Sequence, residues 1–150
     1  MIKKKKLNNS LHFFIIDRLN FLLLKKGKGS VSKKIIYKLF YDLKFNSNLN
    51  NRNIEDFLEK GLSNILLRFV IKYRQKGKVK QQIPVPLKSE EKVYVNTIRF
   101  LLNVLKKQKN KSFDSKLIKE FDDIFEGRGQ VKKDLVNFNK VVIANRKLID

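Results

Sequence analysis

The chain has no cysteine and a single histidine, His12, which removes disulfide frameworks, thiolate nucleophiles and zinc-finger ligand sets. Without cysteine the redox compartment is left open. A lone histidine near the start of a helix, between Leu11 and Phe13 and with no carboxylate pattern beside it, is not a metal site. Long apolar runs are also lacking. The longest, near 11–24 and 65–71, are broken by Asp17, Arg18, Asn20 and Arg68, far short of the roughly 18 uninterrupted apolar residues of a membrane span. Glycine-rich nucleotide fingerprints are missing too. The GKGS at 27–30 has the wrong spacing for a phosphate-binding loop and follows a helical pattern, so Ser30 reads instead as the N-cap of a helix. No period of about 20–50 residues repeats. The acidic group Asp122, Asp123 and Glu126 lies close to Arg128 and Lys132 and reads as local counter-charge. No Ser/His/Asp arrangement exists, and neither catalysis, a metal nor a cofactor is expected.

Acidic residues are themselves scarce: 14 Asp and Glu face 35 Lys and Arg, a formal charge of +21 with a pI near 10.2. Such self-repulsion destabilises a compact state unless a polyanion relieves it. Nucleic acid is the expected partner. A membrane-surface protein would concentrate its charge on one strongly amphipathic basic helix, whereas here the charges gather at element ends and in loops. Twenty-eight of the 35 cations are lysine, and Asn, Ile, Leu and Phe are heavily used. These residues have A/T-rich codons, which suggests an A/T-rich, organellar genome. The start, MIKKKKLNNS, lacks the Arg/Ser-rich pattern of a transit peptide, so synthesis in the compartment of use is expected.

With 150 residues and 42% apolar content, one domain with a real core is expected. Nearly all of it reads as helix. The exception is the stretch 65–88, where the period is two: Phe69, Ile71, Tyr73, Val79, Ile83, Val85 and Leu87 are odd and apolar or aromatic, and Lys72, Arg74, Lys76, Lys78 and Lys80 are even and basic. That parity predicts a β-ribbon with an oily face and a cationic one, turning around Gly77 within Arg74–Lys78, which carries no apolar side chain. The only prolines, Pro84 and Pro86, put both missing N–H donors on one edge and leave the other edge free to pair.

Around the ribbon the spacing predicts a loose basic arm over Met1–Asn9 and a first helix over about Leu11–Lys26, capped by Ser10 and stopped by Gly27. Its apolar face would carry Phe13, Ile16, Leu19 and Leu23. A second helix, about Val31–Lys44, would bury Val31, Ile35, Ile36, Leu39, Phe40 and Leu43, with Tyr37 and Tyr41 read as packing groups. After the polar connection Asn46–Asn51, Asn53 would cap a third helix reaching Ser63. A fourth, capped by Ser89, carries the stripe Tyr94, Ile98, Leu101, Leu102, Leu105 and ends in Lys106, Lys107, Lys109 and Lys111. A fifth, capped by Ser112 and stopped by Gly127, buries Phe113, Leu117, Phe121, Ile124 and Phe125. A sixth begins near Asp134 after the loop GRGQVKK, with Leu135, Phe138, Val142 and Ile143 inward. The expectation is a mainly α, single-domain bundle of six helices with a β-hairpin protruding between the third and fourth.

The candidate RNA contacts are Lys3, Lys4, Lys5 and Lys6 in the arm, Lys25, Lys26, Lys28, Lys33 and Lys34 around the first connection, and Lys72, Arg74, Lys76, Lys78 and Lys80 on the ribbon. Lys106 and Lys107, Arg128, Lys132 and Lys133, and Arg146 complete the set. Lysine reaches phosphate as a mobile point charge, which suits backbone and shape recognition of folded RNA more than base readout. Aromatics are few among these lysines, so a stacking platform of the RRM or OB kind is not indicated. A sequence-neutral, DNA-compacting protein of nucleoid type is the alternative reading. Peripheral membrane binding through the first helix is a third.

Three blocks, in order and at matching spacing, resemble the family of small-subunit ribosomal protein seven. GKGSVSKKIIYKL (27–39) is similar to its G-K-K-S-x-A-x-x-I-V-Y connection and second helix. RQKGKVKQQIPVPL (74–87) is similar to its R-R-V-G-G-x-x-Y-Q-V-P-V hairpin, and EGRGQVKKDLVNFNKVVIANR (126–146) to its V-K-K and M-A-E-A-N-R/K closing segment. The resemblance implies a six-helix, hairpin-bearing protein that binds the 3′ major (head) domain of small-subunit rRNA and nucleates head assembly. Its hairpin, here Arg74, Lys76, Gly77 and Lys78, would lie near the exit-site tRNA and the mRNA path. Neighbouring head and platform ribosomal proteins would be its partners, with no membrane role and no homo-oligomer. By position, Lys26, Lys28 and Lys33 match the basic connection, Arg74, Gly77 and Gln82 the hairpin, Lys132 and Lys133 the V-K-K, and Asn145 and Arg146 the closing motif. The chain departs from the pattern at Lys78, where the family has a second glycine, and at Glu90 and Glu91, where it usually has arginines. The aromatic, basic tail of many bacterial members does not follow Asp150. Together with the codon bias, these departures point to a mitochondrial, organelle-encoded member.

Overall fold

The structure is a computed structural model that describes residues 2–24, 27–46, 54–109 and 112–149, with only the backbone described at 2–10, 12, 43, 46 and 54–56. The elements are α1 (Ile2–Leu23), α2 (Gly29–Asn46), α3 (Ile54–Ser63), β1 (Phe69–Lys76), β2 (Val79–Pro86), α4 (Glu90–Lys107), α5 (Phe113–Phe125) and α6 (Gln130–Ala144), closed by a 3-10 turn at Arg146–Leu148. The expected architecture is therefore present: a mainly helical single domain with an antiparallel hairpin between α3 and α4.

The stripe on α4 organises the core. Tyr94, Ile98, Leu101, Leu102 and Leu105 are all buried, joined by Val93 and Val104, and α4 touches α1, α3, α5 and α6. Into this axis pack Ile15 and Leu19 of α1, Leu58 and Leu62 of α3, Leu117, Phe121 and Ile124 of α5, and Val131 and Leu135 of α6. Each such side chain contributes about 1.5–3 kcal/mol by leaving water.

Several boundaries differ from the sequence reading, each for a local reason. The segment read as a loose arm is helical from Ile2, so Ser10 is interior to α1 rather than its cap. Lysine is a good helix former, and once Ile15 and Leu19 hold the helix on the core, adding turns is cheap. At its other end α1 stops at Leu23, while Gly27 takes the left-handed conformation at φ 72°. Ser30 is not a cap, because α2 already begins at Gly29. The serine that matters is Ser32, buried with its hydroxyl 2.7 Å from Asn20 Oδ1 and 2.9 Å from the Gly29 carbonyl, which pins α2 to α1. Ser89 stands at the N-cap of α4 without a side-chain cap bond, whereas Ser112 does accept the Ser115 N–H. α6 starts at Gln130, four residues before the expected Asp134. Phe13, Val31 and Ile143, expected inward, are exposed, and so are Tyr37 and Tyr41. Residues 47–51 and the cap read at Asn53 lie outside the described residues.

The ribbon corrects the parity argument. A two-residue turn at Gly77 and Lys78 sets Lys76 opposite Val79, and Tyr73 opposite Gln82. Gly77 has φ 63°, as the first central residue of a primed hairpin turn requires. Arg74, Gln75 and Lys76, read as part of the turn, are thus strand residues. An odd position of β1 always faces an even position of β2, and directly opposite residues share a face. Lys72, Arg74 and Lys76 therefore share one face with Val79 and Ile83, not with Lys80. Apolar and cationic character separate along the ribbon instead of across it: the root is half-buried and the tip is exposed. The proline inference holds. The Leu87 N–H donates to the Arg68 carbonyl at 2.8 Å, so odd residues of β2 point their donors at β1, and Pro84 and Pro86 leave gaps only on the outer edge.

Two polar side chains of α4 hold the ribbon root. Thr97, fully buried in the middle of the apolar stripe, accepts the Leu67 N–H at 3.0 Å and donates to the Val93 carbonyl at 2.8 Å. Asn96 donates to the Phe69 carbonyl at 3.2 Å and lies 3.5 Å from that of Leu67. The 3-10 turn at 146–148 lies against β2. Thr97→Val should leave the Leu67 N–H buried without a partner and cost about 1–3 kcal/mol in urea unfolding, while Thr97→Ser stays near wild type.

Candidate nucleic-acid interface

The basic residues resolve into two groups set at opposite ends of α4, whose 18 residues span about 27 Å. At the C-terminal end, Lys106 shares a cavity of about 200 Å³ with Leu24 and Val31, which brings the α4 terminus to the α1–α2 connection carrying Lys28. Beside it a cavity of about 360 Å³ is lined by Gln108, Lys109, Lys116, Lys119, Glu120, Asp123 and Gln130. Lys132 and Lys133 lie on the first turn of α6 next to Gln130. Lys28, Lys106, Lys107 and Lys133 are exposed and Lys132 is half-buried. Lys116 and Lys119, three residues apart on α5, join this surface and were missed by the sequence reading. Their spacing on one helix face was the available signal.

The early start of α6 is caused by a buried carboxylate. Glu120 is 4% exposed, accepts the Val131 N–H at 2.7 Å through Oε1, and accepts from the Gln108 side-chain amide at 3.2 Å through Oε2. It thereby occupies an open donor at the helix N-terminus, where negative charge is favoured. Gly129, at φ 103° and ψ 168°, leads the chain into this cap in a region essentially reserved for glycine. A Cβ there would sit 2.7 Å from Glu120 Oε1. The result turns Lys132 and Lys133 from loop residues into helical ones with fixed direction. Arg128 behaves as the sequence suggested: it pairs with Asp123 at 3.2 Å and with Glu126, so its charge is balanced locally. The neighbouring Asp122 is pushed up from its ordinary value, by burial first and then by Asp123 and Glu126.

The second group is the ribbon. Two eight-residue strands project the tip about 25 Å from the root. Lys72, Arg74 and Lys76 form a row on one face at steps of about 7 Å, and Lys80 lies on the other with Tyr73, Gln75 and Gln82. No cation faces another across the strands: Arg74 opposes Gln81 and Lys80 opposes Gln75. Like-charge repulsion is thus avoided while the charge density stays high. Arg146, the closing-motif cation, stands in the 3-10 turn that lies against β2. Lys33 and Lys34 belong to neither group and lie exposed on α2. The side chains of Lys3, Lys4, Lys5 and Lys6, the residues Lys25, Lys26 and Lys111, and the side chain of His12 lie outside the described set. Among the described residues no cluster of metal-ligating side chains occurs, and no helix is long and apolar enough to cross a membrane.

A cationic hairpin between the third and fourth helices, on a core built around the fourth, coincides with a sequence match over residues 1–146 to the family described as ribosomal protein S7p/S5e. The chain belongs to this family. It is 30% identical over 125 residues to the small ribosomal subunit protein uS7 of Nitrosococcus oceani, covering 83% of this chain and 78% of that protein. It is 28% identical over 123 residues to the small ribosomal subunit protein uS7c of Stigeoclonium helveticum, covering 82% of this chain and 69% of that one. Similarity to uS7 of Wigglesworthia glossinidia brevipalpis, at 27% identity, extends over 132 residues, 88% of this chain and 82% of the other. Within the S7 hairpin pattern quoted above, Gln81 replaces a tyrosine, and the register puts it opposite Arg74. The ribbon's own tyrosine, Tyr73, is on the other face.

Because Gly129 sets the direction of the α6 lysines, Gly129→Ala should cost about 2–4 kcal/mol, combining backbone strain with a displaced Glu120 hydrogen bond. Gly127→Ala, at φ 71° with open space around it, should cost only about 1–2 kcal/mol. Urea unfolding of the two variants measures the difference.

Proposed function

We propose that this protein is a structural, non-enzymatic component of the small ribosomal subunit that binds the 3′ major (head) domain of the small-subunit rRNA and nucleates assembly of the head. The observation that carries the reading is the S7p/S5e match over residues 1–146 together with a cationic hairpin in the position that the resemblance implies. The cluster at the C-terminal end of α4 supplies phosphate contacts from three helices, α4, α5 and α6, and from the α1–α2 connection, all held by one core. The ribbon supplies a second set at the end of a projecting arm. This is the arrangement expected when folded RNA is gripped through its backbone and shape. The exposed tip, with Arg74, Lys76, Gly77 and Lys78, would reach toward the exit-site tRNA and the mRNA path. Neighbouring head and platform proteins would meet the body.

Glu90 and Glu91 modify this reading at one place. Both are exposed in the first turn of α4, beside the ribbon root, where they suit the positive helix terminus but repel phosphate. The rRNA would therefore approach the ribbon along its shaft and tip. The A/T-rich residue usage supports an organellar, mitochondrial ribosome as the location. Plastid and bacterial ribosomes are the alternatives, and uS7c and bacterial uS7 relatives are similar to the chain to the same degree.

If about eight phosphates are neutralised, affinity for a head-domain rRNA fragment should fall about a thousand-fold or more between roughly 50 and 200 mM salt. A scrambled RNA of equal length should bind more weakly at every salt concentration; equal binding refutes the ribosomal assignment, and preference for duplex DNA favours a nucleoid-type protein. Replacing Lys72, Arg74 and Lys76 by Gln should lower the slope of log affinity against log salt by about 2–3. An unchanged slope removes that ribbon face from the interface.

A further inference from the structure

The exposed side of α2 fits neither the core nor the two cationic groups. Tyr37, Tyr41 and Phe45 recur at every fourth residue and are 70%, 62% and 63% exposed. They form a stripe turned away from Ile36 and Leu39, which the core buries. The rings of Tyr41 and Phe45 touch, with centroids 4.5 Å apart and planes tilted by 40°, so they make one continuous surface. Tyr37 lies one helical turn away and borders a cavity of about 240 Å³ between α1 and α2, across which stands Phe13, 74% exposed. Cations are interleaved with the rings. Lys33, Lys34, Lys38 and Lys44 are exposed, the Lys44 ammonium is 5.8 Å from the Phe45 ring centroid, and Lys38 pairs with Asp114 at 3.2 Å. The only acid of α2 is Asp42, and Asp17 of α1 borders the cavity.

We infer that this face is a second RNA site, which takes an unpaired, single-stranded segment by stacking bases on Tyr37 and on the Tyr41–Phe45 pair while the flanking lysines meet its phosphates. The chemistry of the face selects this occupant. Among the described side chains from Tyr37 to Phe45 the exposed apolar groups are all flat rings, and the exposed charges are all positive. Rings with interleaved cations are the elements of a sequence-tolerant single-strand platform. A partner helix would call for aliphatic side chains along the contact, and a membrane surface would call for a wide apolar face with its lysines segregated on the opposite side, not interleaved with the rings. The stacking surfaces are one turn apart, about 5–6 Å along the axis, which exceeds the ~3.4 Å rise of stacked bases. The site therefore suits bases splayed from a loop or bulge more than a duplex.

The inference rests on the reading of the chain as an RNA-binding protein, and its test separates the two. The chain has no tryptophan and four tyrosines, of which Tyr94 is buried, so a Tyr73→Phe background makes Tyr37 and Tyr41 the exposed reporters. In that background a short single-stranded oligouridine should quench tyrosine emission. The variant with Tyr37, Tyr41 and Phe45 changed to Ala should bind it about ten- to a hundred-fold more weakly. Tyr37→Phe with Tyr41→Phe should keep the affinity, and far-ultraviolet circular dichroism should show all variants folded, since these side chains are exposed. Binding of the head-domain rRNA fragment with no quenching by oligouridine, or with unchanged oligouridine affinity in the alanine variant, overturns the stacking site and leaves the ribosomal reading standing. Failure to bind either RNA overturns both. If the alanine substitutions instead abolish binding to anionic vesicles or to an acidic peptide while leaving oligouridine affinity intact, the face belongs to a membrane or a protein and the inference is wrong.

Discussion

A buried hydroxyl and a neighbouring amide on one helix determine where the cationic hairpin of this protein stands. Thr97 and Asn96 interrupt the apolar stripe of α4 to bond the backbone at Leu67 and Phe69, where the chain leaves α3 and enters the hairpin. A two-stranded ribbon is marginal on its own, and at its root it would otherwise carry unpaired backbone groups into the core. Bonding the root to the most buried helix gives the ribbon a fixed base, while the exposed tip remains available to a partner. The same helix carries the second basic surface at its far end. Its length therefore sets the separation of the two surfaces, and its packing sets their relative direction.

Each basic surface is supported by a polar device. At the α5–α6 turn, Glu120 is buried against the N-terminus of α6 and the chain enters through Gly129 in a conformation only glycine tolerates. A carboxylate beneath a group of lysines opposes anion binding only where it faces the anion. It faces inward, bonded to Val131 and Gln108, and its role is to direct the lysines above it. The ribbon solves a different problem. Its register keeps cations from facing one another, so it can carry Lys72, Arg74, Lys76 and Lys80 on two short strands.

The departures in which faces are buried share one cause. Periodicity identifies an element and one face of it, but not which part of that face another element will cover. Phe13, Tyr37, Tyr41 and Ile143 were placed inward by spacing and are exposed, because the stripe each belongs to is wider than the contact its helix makes. The ribbon parity failed for a related reason. Counting odd and even positions along the chain assumes that both strands keep one parity on one face, and a two-residue turn reverses that relation. Thr97 was legible in principle, since a polar residue inside an apolar stripe must find a partner. The identity of that partner, thirty residues earlier in the chain, was not.

The sequence by itself determined the charge, the class of partner, six helices with a hairpin in third-to-fourth position, and the core stripe of α4. These follow from composition and local period, which do not depend on how elements meet. Tertiary structure alone decided which basic residues lie together, since Lys106 meets the α1–α2 connection and Arg146 joins the ribbon only through packing. It also decided that α6 begins at Gln130, because the cap comes from a carboxylate on another helix. And it left an aromatic, lysine-studded face of α2 that no element among the described residues covers.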